Sequence, residues 1–220
     1  MSNAGYGAVL LWPTGAELRR RLPRLLGGIV ALGVGIALTL DARLGVSPWD
    51  VLHQGVADRT GLTFGTVVVL VGLVVLALWI PLGQRLGIGT IVNVLTVGYL
   101  VDLSLYLQPE PTVLAWRWAY LVGGIVIAAL GMAAYIGAGL GPGPRDGLMT
   151  GLAAKGLRLW LVRTALELAV LVTGWVLGGD VGIGTVLFAL GIGPLGHWFL
   201  ARLHLGVADR DPDPDAAFGE

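Results

Sequence analysis

Long apolar stretches alternate with short polar segments along most of the chain. An α-helix needs roughly 20 apolar residues to cross the ~30 Å hydrocarbon core of a bilayer. Six stretches approach that length, at residues 25–40, 64–82, 90–107, 118–136, 161–177 and 184–200. This pattern predicts an all-α, polytopic membrane helix bundle.

One spaced set of glycine, proline and aspartate residues occurs twice, which indicates an internal duplication. The matched residues are Gly45, Pro48, Asp50, Gly87 and Gly89 in the first half and Gly141, Pro144, Asp146, Gly182 and Gly184 in the second. The offset is 96 positions up to a one-residue deletion and 95 positions after it. We therefore expect two tandem three-span repeats, at residues 19–107 and 108–204, between an N-terminal tail of residues 1–18 and a disordered C-terminal tail of residues 205–220.

A short helix is expected after the first span of each repeat, over residues 48–60 and 144–155. Proline suits the first helical turn, and Ser47 has a side chain that can cap the first of these helices. Asp50 and Asp146 complement the positive helix N-terminus. Because such a helix is only about 20 Å long, we expect it to be re-entrant or interfacial rather than an ordinary crossing.

The direction of the two repeats depends on whether the short helices cross the membrane. If they do not cross, the repeats are inverted; if they cross, eight spans result and the repeats are parallel. The arginines at positions 19, 20, 21 and 24 place the N-terminus in the cytoplasm. The region of the second short helix is more basic than that of the first, and this contrast favours inverted repeats.

Asp50 and Asp146 are the first candidates for a functional site, because they occupy matched positions at the starts of the two short helices. Half-helix starts that meet at a repeat interface line the substrate sites of many transporters. We therefore expect both carboxylates to bind substrate. The alternative is that each only caps its own helix.

Four further side chains complete the expected substrate site. Arg145 can bind an anionic group with its planar fork, or it can form a salt bridge with an aspartate. Trp49 occupies the matched position in the first repeat, and Asn93 lies near the start of the third span. His53, one turn into the first short helix, can carry a proton near neutral pH, or it can simply face a helix interface.

Glu167 lies inside the fifth predicted span, where a carboxylate is costly and needs a partner or a polar cavity. Arg163 lies one helical turn before it and can pair with it. We expect these two residues to couple or gate transport. The alternative is a purely structural ion pair.

Composition narrows the classes of function. Hydrophobic residues make up 55% of the chain and charged residues 13%, about half the charge of soluble domains. With a formal net charge of +0, nothing indicates a nucleic-acid partner. The chain has no cysteine, and its three histidines lack the spacing of a metal site, so we expect no metal and no cofactor. No nucleophile or nucleotide-binding motif is present, and we do not expect an enzyme.

The chain resembles the bacterial YczE/YitT/YyaS-type integral membrane family in four short segments. They are ARLGVSPWD at 42–50, GTIVN at 89–93, LGPGPRDGLM at 140–149 and GIGT at 182–185. The likeness extends from about residue 20 to about residue 203. It implies a multi-pass protein of the bacterial cytoplasmic membrane, and we expect both termini in the cytoplasm. It implies no substrate and no reaction.

Three functions fit these observations. The first is a small secondary transporter or channel-like permease for an unknown small molecule or ion, with its site where the two short helices start. The second is an accessory protein that scaffolds a membrane partner through its glycine-rich faces. The third and weakest is an intramembrane enzyme that acts on a lipid. In each case the bilayer is the surrounding solvent, and a homo-oligomer or a membrane partner stays possible.

Overall fold

The computed structural model describes residues 13–203, and this part of the chain is entirely helical apart from turns and loops. The helices are α1 Gly15–Ala42, α2 Pro48–Thr60, α3 Phe64–Leu82, α4 Ile88–Leu107, α5 Leu114–Gly137, α6 Pro144–Ala153, α7 Leu159–Leu177 and α8 Ile183–Leu203. All but α2 and α6 are long and apolar enough to cross a membrane. The six predicted apolar stretches correspond to these six helices.

The first helix begins before its apolar stretch. Thr14 caps α1, and the side chain of Glu17 binds the backbone of Thr14 in return, which makes a capping box. Residues 15–18, the first turn of α1, are therefore helical although they belong to the region expected as an N-terminal tail. The rest of that tail, at 1–12, and the expected disordered tail at 205–220 lie outside the described residues.

Helices α1 and α5 form the central pair of the bundle and run antiparallel. A Cβ added to Gly28 would lie 2.5 Å from the Tyr135 nitrogen, and one added to Gly35 would lie 2.4 Å from the Ala128 nitrogen. Residue numbers thus rise along α1 as they fall along α5. The two backbones touch, because glycine leaves no side chain between them.

The other long helices of the first half pack beside α1. Arg43 pairs with Glu110 at 2.8 Å, and Gln108 donates to Asp41 at 2.8 Å, so the carboxyl ends of α1 and α4 lie together. Helix α4 therefore runs parallel to α1. Helix α3 runs antiparallel to α4, because Gly65 at the start of α3 contacts Gly98 and Asp102, whereas Gly72, further along α3, contacts Val94.

In the second half, α8 packs along α5 in parallel. A Cβ added to Gly191 would lie 3.7 Å from Ile125, and one added to Gly196 would lie 2.6 Å from Met132. The end of α8 returns to the start of α1, where Arg24 donates to the Leu203 carbonyl at 2.7 Å. The two ends of the described chain therefore lie on the same side of the bundle.

Each short helix packs against a long helix of the other half. Helix α2 lies against α7, where Gly174 fits against the backbone of Leu52. Helix α6 lies against α3, where Trp79 covers Gly147 and donates from Nε1 to the Pro144 carbonyl at 3.0 Å. Helix α2 has the predicted bounds. Helix α6 stops at Ala153, two residues before the predicted end, where a turn leads to the next loop.

Two backbone hydrogen bonds hold the segments that precede the short helices. The Gly184 nitrogen donates to the Leu44 carbonyl at 2.7 Å, and the Gly89 nitrogen donates to the Leu140 carbonyl at 2.8 Å. The residues after these carbonyls are Gly45, with φ of 101°, and a glycine at 141 with φ of 137°. Glycine is required at both, because side chains disfavour positive φ and the opposing backbone leaves no room.

Candidate functional site

A cavity of about 160 Å³ lies between the starts of α2 and α6. Its walls are largely apolar, and one set of polar side chains interrupts them. The polar lining residues are Ser47, Trp49, Asp50, His53, Asn93, Tyr135, Arg145, Asp146, Arg163 and Glu167. All eight side chains expected to bind substrate or to couple transport are among them. The structure thus brings them to one cavity, while their roles stay predictions.

Most of the lining residues form pairs that the internal offset of the sequence relates. Across the two short helices these are Ser47 with Gly143, Trp49 with Arg145, Asp50 with Asp146, and His53 with Met149. Across the long helices they include Val68 with Arg163, Gly72 with Glu167, and Asn93 with Phe188. Matched positions therefore face one shared space, although their side chains differ in charge and size.

Asp50 is surrounded by hydrogen-bond donors. Ser47 caps α2 by accepting from the Asp50 nitrogen at 3.2 Å, and its hydroxyl donates to the Asp50 carboxylate. His53 Nδ1 lies 3.3 Å from the same carboxylate, and Arg145 Nη2 lies 3.5 Å from it. A carboxylate that is 1% exposed needs this many partners to stay charged.

Arg145 links the two short helices. Besides its ion pair with Asp50, its guanidinium lies over the Trp49 ring, 5.0 Å from the ring centroid. Both partners belong to α2, whereas Arg145 belongs to α6. The cation–π contact and the ion pair together fix the plane of the guanidinium beside the cavity.

Asp146 has a different environment from its counterpart. Gly143 stands where the first half has Ser47, and a Cβ added there would lie 2.3 Å from the Tyr135 hydroxyl oxygen. That hydroxyl donates to Asp146 Oδ2 at 3.4 Å. Tyr135 therefore takes the place that the serine hydroxyl occupies in the first half.

Three titratable residues of the site, Asp50, His53 and Asp146, lie on the short helices, outside the six long apolar helices. Their pKa values are shifted in different directions. Burial opposes the charged form of Asp50, but the hydrogen bond from His53 and the charge of Arg145 outweigh it and lower the pKa of Asp50. Burial lowers the pKa of His53, so this imidazole is neutral at pH 7 and donates from Nδ1. Burial raises the pKa of Asp146, despite the nearby Arg145.

Two buried donors at the cavity have no hydrogen-bond partner. They are the indole Nε1 of Trp49 and the amide Nδ2 of Asn93. Their residues are 6% and 4% exposed, respectively. An unpaired buried donor costs about 1–3 kcal/mol, and an acceptor that reached either group would remove that cost.

Arg163 and Glu167 form an ion pair one helical turn apart on α7, with 2.9 Å between Nε and Oε1. The side chains are 48% and 28% exposed, which places the pair at the margin of the cavity. The structural pairing is therefore present. A further role in coupling or gating stays a prediction.

The sequence interpretation missed three side chains that shape this site. They are Tyr135, which binds Asp146, Trp79, which binds the Pro144 carbonyl, and Thr90, which donates to the Pro142 carbonyl at 2.7 Å. Thr90 was identified only as the start of a span, and the two aromatic residues lie inside apolar runs. Tyr135 matches Thr39 in the other half, and Trp79 matches Gly174. Because these residue types differ, the repeated sequence pattern did not identify the two aromatic residues as part of the site.

No metal site is apparent in residues 13–203. Within this range no group of three histidine, aspartate or glutamate side chains is placed to hold an ion. Asp50 and His53 lie side by side, but the Asp50 carboxylate already binds Ser47 and Arg145.

Comparison with known proteins gives a family. A model of a family of unknown function, DUF6198, matches residues 19–201. A relative from Haemophilus influenzae, described as an uncharacterized protein, is 39% identical over 199 residues, which cover 90% of each chain. No solved structure matches the chain.

Two relatives from Bacillus subtilis agree with this assignment. An uncharacterized membrane protein, YczE, is 32% identical over 178 residues, which cover 79% of this chain and 82% of the relative. An uncharacterized protein, YyaS, is 32% identical over 179 residues, which cover 79% of this chain and 89% of the relative. The chain is thus a membrane protein that belongs to the YczE-type bacterial family of unknown function DUF6198.

Proposed function

We propose that this protein is a small secondary transporter or channel-like permease built from two inverted repeats, with its substrate site in the cavity between α2 and α6. The observation that carries this proposal is the pair of unpartnered buried donors, on Trp49 and Asn93, in a cavity lined by matched positions of both halves. Polar groups inside a membrane bundle are costly and typically mark a solute pathway.

Support for inversion comes from helix direction. Helices α1 and α4 end on the same side of the bundle, so the chain between those ends crosses the membrane an even number of times. Helices α3 and α4 account for two crossings, and α2 therefore adds none. The matched helices α1 and α5 run in opposite directions, as inverted repeats require.

Support for a cytoplasmic N-terminus comes from the distribution of basic residues. The side of the bundle with the start of α1 also carries the α3–α4 loop, the region from α6 to the start of α7, and the end of α8. Its basic residues are Arg19, Arg20, Arg21, Arg24, Arg85, Arg145, Lys155, Arg158, Arg163 and Arg202. The opposite side carries Arg43, Arg59 and Arg117. Cytoplasmic loops are the ones enriched in basic residues.

Support for transport comes from a difference between two matched helix pairs. At the start of α3, a Cβ added to Gly65 would lie 2.1 Å from the Gly98 carbonyl oxygen, and Asp102 accepts from the Gly65 nitrogen at 2.7 Å. The matched pair is α7 with α8, where Trp160 replaces the first glycine and Gly193 has open space around it. Helices α3 and α4 are thus in contact at the start of α3, whereas α7 and α8 are separated at the start of α7. These two places lie at opposite ends of the bundle, and alternating access requires one end to be closed while the other is open.

The test needs no knowledge of the substrate, because a transport pathway must be reachable from both sides. A single cysteine at Val71→Cys would line the cavity, and the chain has no other cysteine. Small membrane-impermeant thiosulfonate reagents would be added to sealed vesicles of right-side-out and inside-out orientation. We expect labelling from both sides, faster from the side of the N-terminus, where α7 and α8 stand apart.

Asp58→Cys and Lys155→Cys provide matched markers, because both lie on exposed ends of the short helix regions. Each should label from one side only, and from opposite sides. If Val71→Cys labels from one side only in every condition, while both markers behave as expected, the cavity is not a transport pathway and this function is wrong.

A second candidate is an accessory protein that holds a membrane partner. The apolar stretches of α7 and α8 have only 11% and 17% of their residues buried, against 39–50% in the other four long helices. A partner helix could cover this face, although lipid covers it equally well. Stoichiometric co-purification of one partner, lost when bulky residues on α7 are changed, would favour this candidate over transport.

A further inference from the structure

We propose that the cavity binds the anionic head of a small organic acid, a carboxylate or sulfonate, through Trp49, Asn93 and Arg145. This inference rests on the proposed function, because it names the class of solute for the same cavity. It differs from the sequence expectation, in which Asp50 and Asp146 both bind substrate.

Asp50 is not available to a cationic solute. Its carboxylate already receives the Ser47 hydroxyl, the His53 imidazole and the Arg145 guanidinium. A carboxylate has about four acceptor positions, and these three donors already use most of them. Asp50 thus positions the donors around it instead of binding the solute.

The unpartnered groups at the cavity are donors. Trp49 Nε1 can only donate, and so can Asn93 Nδ2. Both side chains are more than nine-tenths buried, and both line the cavity. Two N–H groups without an acceptor call for oxygen atoms in the bound solute.

Arg145 supplies the third donor and the charge. A guanidinium has five N–H groups, and its ion pair with Asp50 uses one of its nitrogens. The Trp49 ring holds its plane, and the side chain keeps 32% of its surface exposed. A planar fork held in this way fits two oxygens of one anionic group.

Asp146 does not oppose an anion as strongly as its formal charge implies. It faces Arg145 on its own helix, Arg163 on α7 and the Tyr135 hydroxyl on α5. Because burial raises its pKa, its neutral form is easier to reach than that of a free aspartate. Protonation there would let the cavity hold an anion without a second unpaired charge.

The rest of the lining sets the size and shape of the solute. Apart from Glu167, which pairs with Arg163, its side chains are apolar, and they include Ile36, Val71, Val75, Val94, Val97 and Ile192. With about 160 Å³ enclosed, the cavity suits a compact anion with a short apolar body.

The test compares three small probes of similar size on the purified full chain: methanesulfonate, propionamide and propylammonium. Binding would be measured as the shift in apparent melting temperature with probe concentration. We expect methanesulfonate to stabilise the protein and the amide and ammonium probes to have little effect. Uptake of labelled methanesulfonate into proteoliposomes would be measured in parallel, against empty liposomes.

Trp49→Phe removes the indole N–H and keeps an aromatic ring, and Asn93→Leu removes the amide at similar volume. Each should weaken methanesulfonate binding about tenfold or more, because a hydrogen bond to a charged group is lost. Trp175→Phe is the matched control, since that indole is exposed on α7, and it should bind like the wild type.

Binding of methanesulfonate that both variants weaken supports the inference, even if no uptake occurs; the absence of uptake would count against transport instead. Equal binding of the ammonium probe, or methanesulfonate binding that neither variant changes, overturns the inference while leaving transport possible. No binding of methanesulfonate at millimolar concentration also overturns it, since the donors would then not hold an anionic group.

Discussion

Arg145 of α6 lies 3.5 Å from the carboxylate of Asp50 on α2, and this ion pair joins the starts of the two short helices. Asp50 is almost fully buried, whereas Arg145 is about one-third exposed. The guanidinium is therefore the link between a buried charge and the cavity. If Arg145 is removed, Asp50 keeps only neutral partners, Ser47 and His53.

Arg145→Met should destabilise the protein, because it leaves the buried carboxylate without its cation. We expect a loss of about 1–3 kcal/mol, measured as a lower apparent melting temperature in detergent. Arg163→Met is the matched control; its exposed pair with Glu167 should contribute about 0.5 kcal/mol or less. Equal losses in the two variants would contradict a structural role for the Arg145–Asp50 pair.

Gly28→Ala should disrupt the central helix pair, because a Cβ there would lie 2.5 Å from the Tyr135 backbone nitrogen. Overpacking of this kind costs about 1–3 kcal/mol, and we expect a lower melting temperature and a lower yield of folded protein. The neighbouring Gly27 has no atom within 4 Å of an added Cβ. Gly27→Ala should therefore be neutral or slightly stabilising, and similar losses at both positions would rule out this packing.

Asp58→Cys and Lys155→Cys should be labelled from opposite sides of the membrane in whole cells. The reason is that α2 and α6 begin at the same cavity and follow helices α1 and α5, which run antiparallel. We expect Asp58→Cys to react with an impermeant reagent from outside, and Lys155→Cys only after permeabilisation. Labelling of both from the inside alone would mean parallel repeats and eight crossings.

Asn93→Leu should separate stability from binding. The variant removes a buried amide with an unpaired donor, so the protein without solute should melt at the same temperature or higher. The same change should weaken binding of methanesulfonate about tenfold or more. A clear loss of stability without solute would show instead that Asn93 has a structural partner.

Asp146→Asn should change the dependence of stability on pH. The pKa of Asp146 is raised in the folded protein, chiefly by burial, so the folded state favours the protonated carboxyl. Its contribution is fully present below the unfolded pKa and is lost as pH rises through the folded pKa. The variant should therefore gain stability relative to the wild type above that range. Melting temperatures from pH 4 to pH 8 would show this, with the exposed Asp58→Asn as a comparison variant.

The helices could be predicted from the sequence because their signals are local. Apolar runs of the right length mark the six long helices, and Ser47 with Pro48 marks the start of α2 at the correct residue. The end of α6 was predicted less accurately than the start of α2. No glycine follows Ala153 directly, and the glycine at 156 lies in the next turn, with φ of 98°.

The sequence predicted which residues form the candidate site, but it did not predict how they contact one another. The duplication pointed to Asp50 and Asp146, yet it could not show that one is saturated by donors while the other binds a tyrosine. Tyr135 reaches Asp146 only because the turn after α5 folds back onto that helix. The open donors of Trp49 and Asn93 depend on the same packing, which no sequence period encodes.

The hydrogen bond from the Gly184 nitrogen to the Leu44 carbonyl also bears on biosynthesis. Leu44 follows α1, whereas Gly184 lies at the start of α8. The loop ahead of α2 therefore lacks this partner until the start of α8 has been synthesised. A nascent chain that stops before α8 holds an incomplete cavity, because residues of α8 line it.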